Sequence, residues 1–347
     1  MAGKTSNKLK TRLPARKGLG FQEPDDQKVS GEITDRVLGK CGYTGQLSKL
    51  SGQPLELEGY YRLDQEAHSL FLKVLPEAYL DQQIEANQFA VFVQKAGILS
   101  NTIISGFPKR LDDELVVIAY DWIEGRCLEP SSLELEQFGR QLGRLHQVLA
   151  CYPEQEAVCN STFARLADLR DIAKRIILLK PTDSPYLQRL CRLLDDKPDI
   201  FKPFEEPCQV LHGDLNVGNL RYTASGVVFL DFEDARHSWF PPRVDVAFAL
   251  ERLALINEQD DNRAFTNAQA LLKGYVDVFG RSPFSRAGSL RETLEWLSLR
   301  SLCMLQHFEW VGRPWPESEW LKFDNLLNHI VRRSEMMLEI ETYFFDR

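Results

Sequence analysis

The sequence is poor in several features that would have assigned it quickly. No apolar run approaches the roughly 20 residues a helix needs to cross a bilayer, so no membrane insertion is expected. The N-terminal stretch has no apolar core of the signal-peptide kind. The seven cysteines (Cys41, Cys127, Cys151, Cys159, Cys191, Cys208 and Cys303) are odd in number and contain no C-x-x-C pair. They read as reduced thiols of a cytoplasmic protein, not as a disulfide framework or a zinc site. The six histidines are scattered, with no metal-ligand spacing. No G-x-x-x-x-G-K-[ST] is present, which excludes a P-loop enzyme.

Charge is unevenly spread. Residues 1–17 hold Lys4, Lys8, Lys10, Arg12, Arg16 and Lys17 and no acid. Setting those six aside leaves 36 basic residues against 50 acidic ones, so the remainder carries −14. A nucleic-acid-binding body is therefore not expected, whereas cationic partners would be favoured by steering. Residues 1–30 read as a flexible basic leader, polar and interrupted by Pro14, Gly18, Gly20 and Pro24. The rest is long enough, and at 44% hydrophobic apolar enough, for one two-lobed body.

The most informative stretch is 209–234, QVLHGDLNVGNLRYTASGVVFLDFED. A short apolar run leads into a polar loop with His212, Asp214 and Asn219. A turn at 223–226 and a second apolar run follow, ending at Asp231 and Glu233. That is strand, loop, strand, with acids and an amide where strands end. Carboxylates and an Asn held on such a unit suit a divalent metal and a phosphate. Asp214 and Asn219 stand as D-x-x-x-x-N, with Asp231 further on, which is the order of proton acceptor and metal ligands in kinases.

With His-Gly-Asp in place of His-Arg-Asp, and Asp-Phe-Glu in place of Asp-Phe-Gly, the stretch resembles the aminoglycoside phosphotransferase and choline kinase superfamily. The resemblance implies an α+β, protein-kinase-like two-lobed fold. A small antiparallel-sheet lobe with one helix would span about 31–122 and a mainly helical lobe 123–347. It implies ATP (or GTP, since a hinge reads the base through its backbone) and Mg²⁺ as cofactors. One departure stands out: many relatives have His-Pro where this chain has Asn216-Val217, so the loop backbone is expected to differ there.

The chain in order supplies the remaining parts. Residues 46–50, 55–63 and 68–75 read as antiparallel strands. Lys73 lies in the most apolar of them, and a buried lysine must be paired. In kinases such a lysine reaches the α- and β-phosphates and is held by a helix glutamate. A helix over 81–96 follows, with Ile84, Phe89, Phe92 and Val93 as its apolar face, and Glu85 is the expected partner. Ser51 and Gly52 are the expected phosphate-covering turn. Residues 115–123 form a strand whose end, Ala119, Tyr120 and Trp122, is the expected adenine hinge. Ser131-x-x-Glu134 is a capping box opening a helix to 150. His146 on that helix reads as a core or capping residue.

Beyond the loop, Pro242-Arg243-Val244-Asp245 resembles the superfamily's P-x-x-D element, whose Asp braces the loop. Helices are expected at about 245–257, 263–280, 289–311 and 317–342. Trp296, Trp310, Trp315 and Trp320 lie among them, as core or as walls of an acceptor pocket. By the resemblance, Asp214 takes the acceptor's hydroxyl proton, His212 braces the loop, and Asn219 and Asp231 ligate metal, with Glu233 supporting a second metal. The acceptor would be a small molecule: an amino sugar, amino alcohol or sugar. A protein kinase-like modifier is disfavoured by the missing Arg of His-Arg-Asp and the absence of Ala-Pro-Glu. A catalytically inactive binding protein is disfavoured by retention of Lys73, Asp214, Asn219 and Asp231.

Overall fold

The computed structural model describes residues 27–51, 57–179, 184–256 and 258–344. The basic tail at 1–17 and Gly52 lie outside these residues. The first lobe contains β1 (Gln27–Lys28), α1 (Gly31–Cys41), β2 (Gln46–Ser51), β3 (Gly59–Asp64) and β4 (Ser69–Pro76), then α2 (Leu80–Lys95), β5 (Lys109–Arg110) and β6 (Leu115–Asp121). The strands form one six-stranded antiparallel sheet in the order β1-β2-β3-β4-β6-β5.

Strand alternation gives this sheet two unlike faces. Tyr61, Leu63, Leu70, Leu72, Val74, Val117 and Ala119 are buried on one, together with Ile33, Val37 and Cys41 of α1. The opposite face carries Tyr60, Phe71, Lys73, Ile118 and Tyr120, with Tyr60 opposite Lys73, Lys73 opposite Ile118 and Phe71 opposite Tyr120.

A leader up to residue 30 and one helix were the expectation for this lobe. Instead Gln27 and Lys28 already pair with β2, and α1 is a second helix. Ser30 caps α1 by accepting from the Ile33 N–H, and Ile33, Val37 and Cys41 recur every four residues to form its buried stripe.

The second lobe is mainly helical: α3 (Ser132–Leu149), α4 (Gln155–Leu179), α5 (Pro185–Asp195), α6 (Arg243–Leu250), α7 (Asp261–Phe279), α8 (Ser289–Trp310), α9 (Glu317–Arg332) and α10 (Ser334–Thr342). Two short ribbons interrupt it. β7 (Gln209–Val210) pairs with β10 (Trp239–Phe240), and β8 (Leu220–Thr223) with β9 (Gly226–Phe229). Ser131 caps α3 as expected, through the Glu134 N–H. The Glu134 carboxylate does not reach back to the cap. It binds Arg126 and the Glu129 N–H instead. Trp296 and Trp320 are buried in the core, Trp296 among Phe201, Phe204 and Phe240. Trp310 is covered by the Arg175 guanidinium at 4.0 Å.

α3 and α7 lie unusually close because glycines stand at the crossing. A Cβ on Gly139 would fall 2.0 Å from the Leu271 carbonyl oxygen, and one on Gly274 2.0 Å from that of Glu136. Both obstacles are backbone, so the helices themselves would have to part. Gly139→Ala is therefore expected to cost about 2–3 kcal/mol, since overpacking outweighs the better helix propensity of Ala. Urea denaturation checks this, and an unchanged midpoint would contradict the close crossing.

Candidate active site

The loop between β7 and β8 is built on buried anchors. Asp245 of α6 accepts the backbone N–H of His212 at 2.9 Å and that of Gly213 at 3.0 Å. His146 of α3 lies 3.3 Å from the same carboxylate and 2.9 Å from the Tyr275 hydroxyl of α7. Asp245 thus braces the loop from beneath, as expected, and His146, read as a core or capping residue, is buried and holds Asp245. Gly213 has φ +84°, and a Cβ there would meet the Ser238 hydroxyl at 2.1 Å. No side chain fits between His212 and Asp214.

His212 is fully buried, with its Nε2 3.0 Å from the Leu230 carbonyl. A carbonyl can only accept, so Nε2 carries the hydrogen and Nδ1 faces the Asp214 N–H at 3.4 Å. Burial holds His212 below the usual histidine range, against the opposing charges of Asp245 and Asp214. The ring is thus a neutral strut between the loop and β9.

Asn219 ends one 3₁₀ turn, Val217–Asn219, capped by the Asn216 side chain through the Gly218 N–H at 2.8 Å. Asn216 thereby sets the backbone of the loop at Asn216-Val217. Asn219 Nδ2 donates to the Asp214 carbonyl at 2.9 Å and to its Oδ2 at 3.0 Å. That turns the amide nitrogen toward Asp214 and the Asn219 Oδ1 away from it. Asp231 follows β9 in a left-handed conformation, φ 61° and ψ 72°, a strained setting for a non-glycine residue. Its Oδ1 is buried without a hydrogen-bond partner.

Lys73 ties the two lobes at this point. Its Nζ lies 2.9 Å from Glu233 Oε1, 3.3 Å from Gln83 Oε1 and 3.7 Å from Asp231 Oδ1. Gln82 Nε2 holds the other Glu233 oxygen at 3.2 Å. Burial favours discharge of this lysine, but Asp231 and Glu233 hold its pKa well above the ordinary value. The rings of Tyr60 and Tyr120 flank Nζ, with centroids at 5.9 and 5.8 Å.

Three expectations need correction. Glu85 does not hold Lys73: it is half-exposed and pairs with Arg236. The buried positions of α2 are Gln82, Gln83, Ala86, Phe89, Ala90 and Val93. Glu85 is two residues from Gln83 and so points to the opposite side, while Ile84, assigned to the apolar face, is exposed. Glu233, expected to support a second metal, is largely buried and binds Lys73 through one oxygen and Gln82 through the other. The hinge is also largely committed. The Ala119 carbonyl accepts from the Ile104 N–H, the Asp121 carbonyl from Asn101, and the Trp122 N–H goes to the Ser69 carbonyl. Of the expected trio, Tyr120 faces the cleft through its ring, Ala119 is buried beyond the sheet, and Trp122 stacks on Arg62 at 4.6 Å. The Ser51 backbone pairs with Tyr60 at the end of β2.

The profile described as the phosphotransferase enzyme family matches residues 55–280, well over half of the chain. The chain belongs to the phosphotransferase enzyme family. Its fold is that of solved kinases. Spectinomycin phosphotransferase APH(9)-Ia, solved with ADP and spectinomycin, superposes with a TM-score of 0.57 at 13% identity, over 91% of this chain and 98% of that one. Choline kinase LicA from Streptococcus pneumoniae gives 0.56 at 13%, over 87% and 98%. The amicoumacin kinase hAmiN, solved with AMP-PNP, Ca²⁺ and Ami, gives 0.53 at 16%, over 87% and 96%. No curated protein sequence matches the chain.

Within this phosphotransferase, His237 closes the segment after Asp231. Its Nδ1 lies 2.6 Å from the Ser161 hydroxyl. Burial, then the charges of Arg165 and Arg236, pull its pKa down from 6.5 to about 4. The unfolded chain takes up this proton near pH 6.5 and the folded chain does not. Stability from this group is therefore complete above pH 6.5 and is lost as pH falls toward 4, by about 1.4 kcal/mol per unit. Denaturation midpoints at pH 7 and 4.5 should converge in His237→Gln relative to the parent. An unchanged pH slope would contradict the assignment.

Proposed function

We propose that the chain transfers the γ-phosphate of ATP, with Mg²⁺, to a hydroxyl of a small molecule. The observation that carries this reading is the pairing of Asn219 with Asp214 and of Lys73 with Asp231, the two linked by the bond from the Leu230 N–H to the Asn219 carbonyl. The donor set fits Mg²⁺. Asp231 offers a buried carboxylate oxygen without a hydrogen-bond partner, and Asn219 turns its carbonyl oxygen away from Asp214. Among the described residues no three His, Cys, Asp or Glu side chains are placed to hold a metal ion by themselves. Mg²⁺ needs only one or two protein carboxylates, because water and substrate phosphates complete its shell. When bound, the metal would neutralise charge that develops on the transferred phosphoryl group.

The protein's own groups do the rest. Asp214, fixed at its Oδ2 by Asn219, accepts the proton of the acceptor hydroxyl or orients that hydroxyl for in-line attack. Lys73 binds the α- and β-phosphates. His212 stays neutral and keeps the loop registered against β9. Tyr60, Phe71 and Tyr120 give the cleft side of the sheet an apolar, aromatic surface suited to a purine. The acceptor class is an amino sugar, amino alcohol or sugar, and the acidic body favours a cationic one. Seven free thiols support a reducing, cytoplasmic setting.

The test is ADP release over aminoglycosides, choline, ethanolamine, homoserine and sugars, with ATP and GTP in parallel and Asp214→Asn as the blank. Release above the blank with one acceptor is expected. No release with any acceptor, together with no melting shift on adding ATP and Mg²⁺, would overturn the reading.

A further inference from the structure

We infer that Gln83 is a positioning residue for Lys73, and that Glu233 is the counter-charge Lys73 exchanges for nucleotide phosphate. This rests on the nucleotide-dependent transfer proposed above. Three oxygens surround the ammonium: Glu233 Oε1 at 2.9 Å, Gln83 Oε1 at 3.3 Å and Asp231 Oδ1 at 3.7 Å. Both carboxylates come from the segment after β9, and α2 contributes only a neutral amide. Of its two acids, Asp81 is exposed and Glu85 is taken by Arg236 on the far side of the helix. Gln83 is almost wholly buried, and its neighbour Gln82 fixes Glu233 Oε2 at 3.2 Å. Two adjacent amides thus hold the two halves of the Lys73–Glu233 pair.

The charges make this arrangement directional. A buried ammonium already facing two carboxylates gains little from a third, which would have to be desolvated without a partner of its own. An amide oxygen aims the ammonium with a hydrogen bond and adds no charge. Incoming phosphates compete with Glu233 for Lys73, and Gln83 can stay bonded throughout because it repels neither. A glutamate at 83 would remain as a competing anion, and a glutamine at 233 would remove the competitor. The two substitutions are therefore predicted to act in opposite directions on the same equilibrium.

The experiment is calorimetric titration of the full chain with ADP in EDTA, and separately with AMP-PNP and Mg²⁺. Melting temperatures are recorded for each protein. Glu233→Gln should tighten metal-free ADP binding several-fold, and Gln83→Glu should weaken it about tenfold. A metal-ligand role for Glu233 predicts no gain without metal and a loss with it. Glu233→Gln binding metal-free ADP no better than the parent overturns the inference, even if Gln83→Glu fails to fold. Gln83→Glu binding ADP as the parent does, at a similar melting temperature, overturns it as well. If the parent binds nucleotide in neither condition, the phosphotransfer reading fails and takes this inference with it. Nucleotide binding by the parent with unmoved variants removes the inference alone.

Discussion

Asp214→Asn should lower phosphoryl-transfer turnover by about three orders of magnitude while leaving nucleotide affinity within about twofold. The substitution keeps size and shape but removes the group that accepts a proton, and general-base catalysis supplies roughly 10²–10⁴ in rate. The loop itself should survive. Its anchors are the Asp245 contacts to the His212 and Gly213 N–H groups and the His212 bridge to Leu230, none of which involves the Asp214 carboxylate. Lys73, Glu233 and Gln83 are likewise untouched, so the nucleotide side stays as it was. Single-turnover kinetics, with a melting curve alongside, separate loss of chemistry from loss of fold. Turnover within tenfold of the parent would rule out Asp214 as the proton acceptor.

Asp245→Ala should act in the opposite manner, removing structure first and activity with it. The Asp245 carboxylate is almost fully buried and serves three donors: two loop amides and, from α3, His146, itself held by Tyr275. Deleting it strands all three in a dry site. Each unsatisfied donor costs about 1–3 kcal/mol, so a loss of about 3–5 kcal/mol is expected after relaxation. Asp245→Asn retains one acceptor oxygen and should cost less. Urea denaturation measures both. If Asp245→Ala were as stable as Asp214→Asn, the bracing role would be wrong.

The loop was legible in the sequence because its partners are close in the chain. Asp214, Asn219 and Asp231 are brought together by one short hairpin, so linear spacing nearly equals spatial arrangement. Lys73 was legible as a charge inside an apolar strand. Its partners were not, because they depend on helix phase. Gln83 and Glu85 differ by two positions, about 200° around α2, and which side faces the sheet is decided by Phe89, Ala90 and Val93 joining the core of the other lobe. Residue type misled as well: a glutamate is the familiar partner of a lysine, and a buried glutamine gives no comparable signal. The pairing of Glu233 with Lys73, 160 residues away in sequence, was not legible because it is set only by how the lobes meet. The contacts that Ile104, Asn101 and Ser69 make to the hinge backbone were not legible for a related reason, since they come from outside the local sequence.

The division of α2 between the lobes has a mechanical consequence. Ala86, Phe89, Ala90 and Val93 sit in the helical lobe's core, Phe89 stacks on Tyr152 at 4.3 Å, and Glu85 pairs with Arg236. Lys73, by contrast, rides on β4, whose far face is sealed to α1. A swing of the sheet would have to be absorbed where the chain crosses between the sheet and the helical lobe, at Pro76–Tyr79 between β4 and α2, between α2 and β5, and between β6 and α3. A paramagnetic or fluorescent label pair spanning these crossings would read cleft opening as a change in one length, with α2 stationary on the larger lobe.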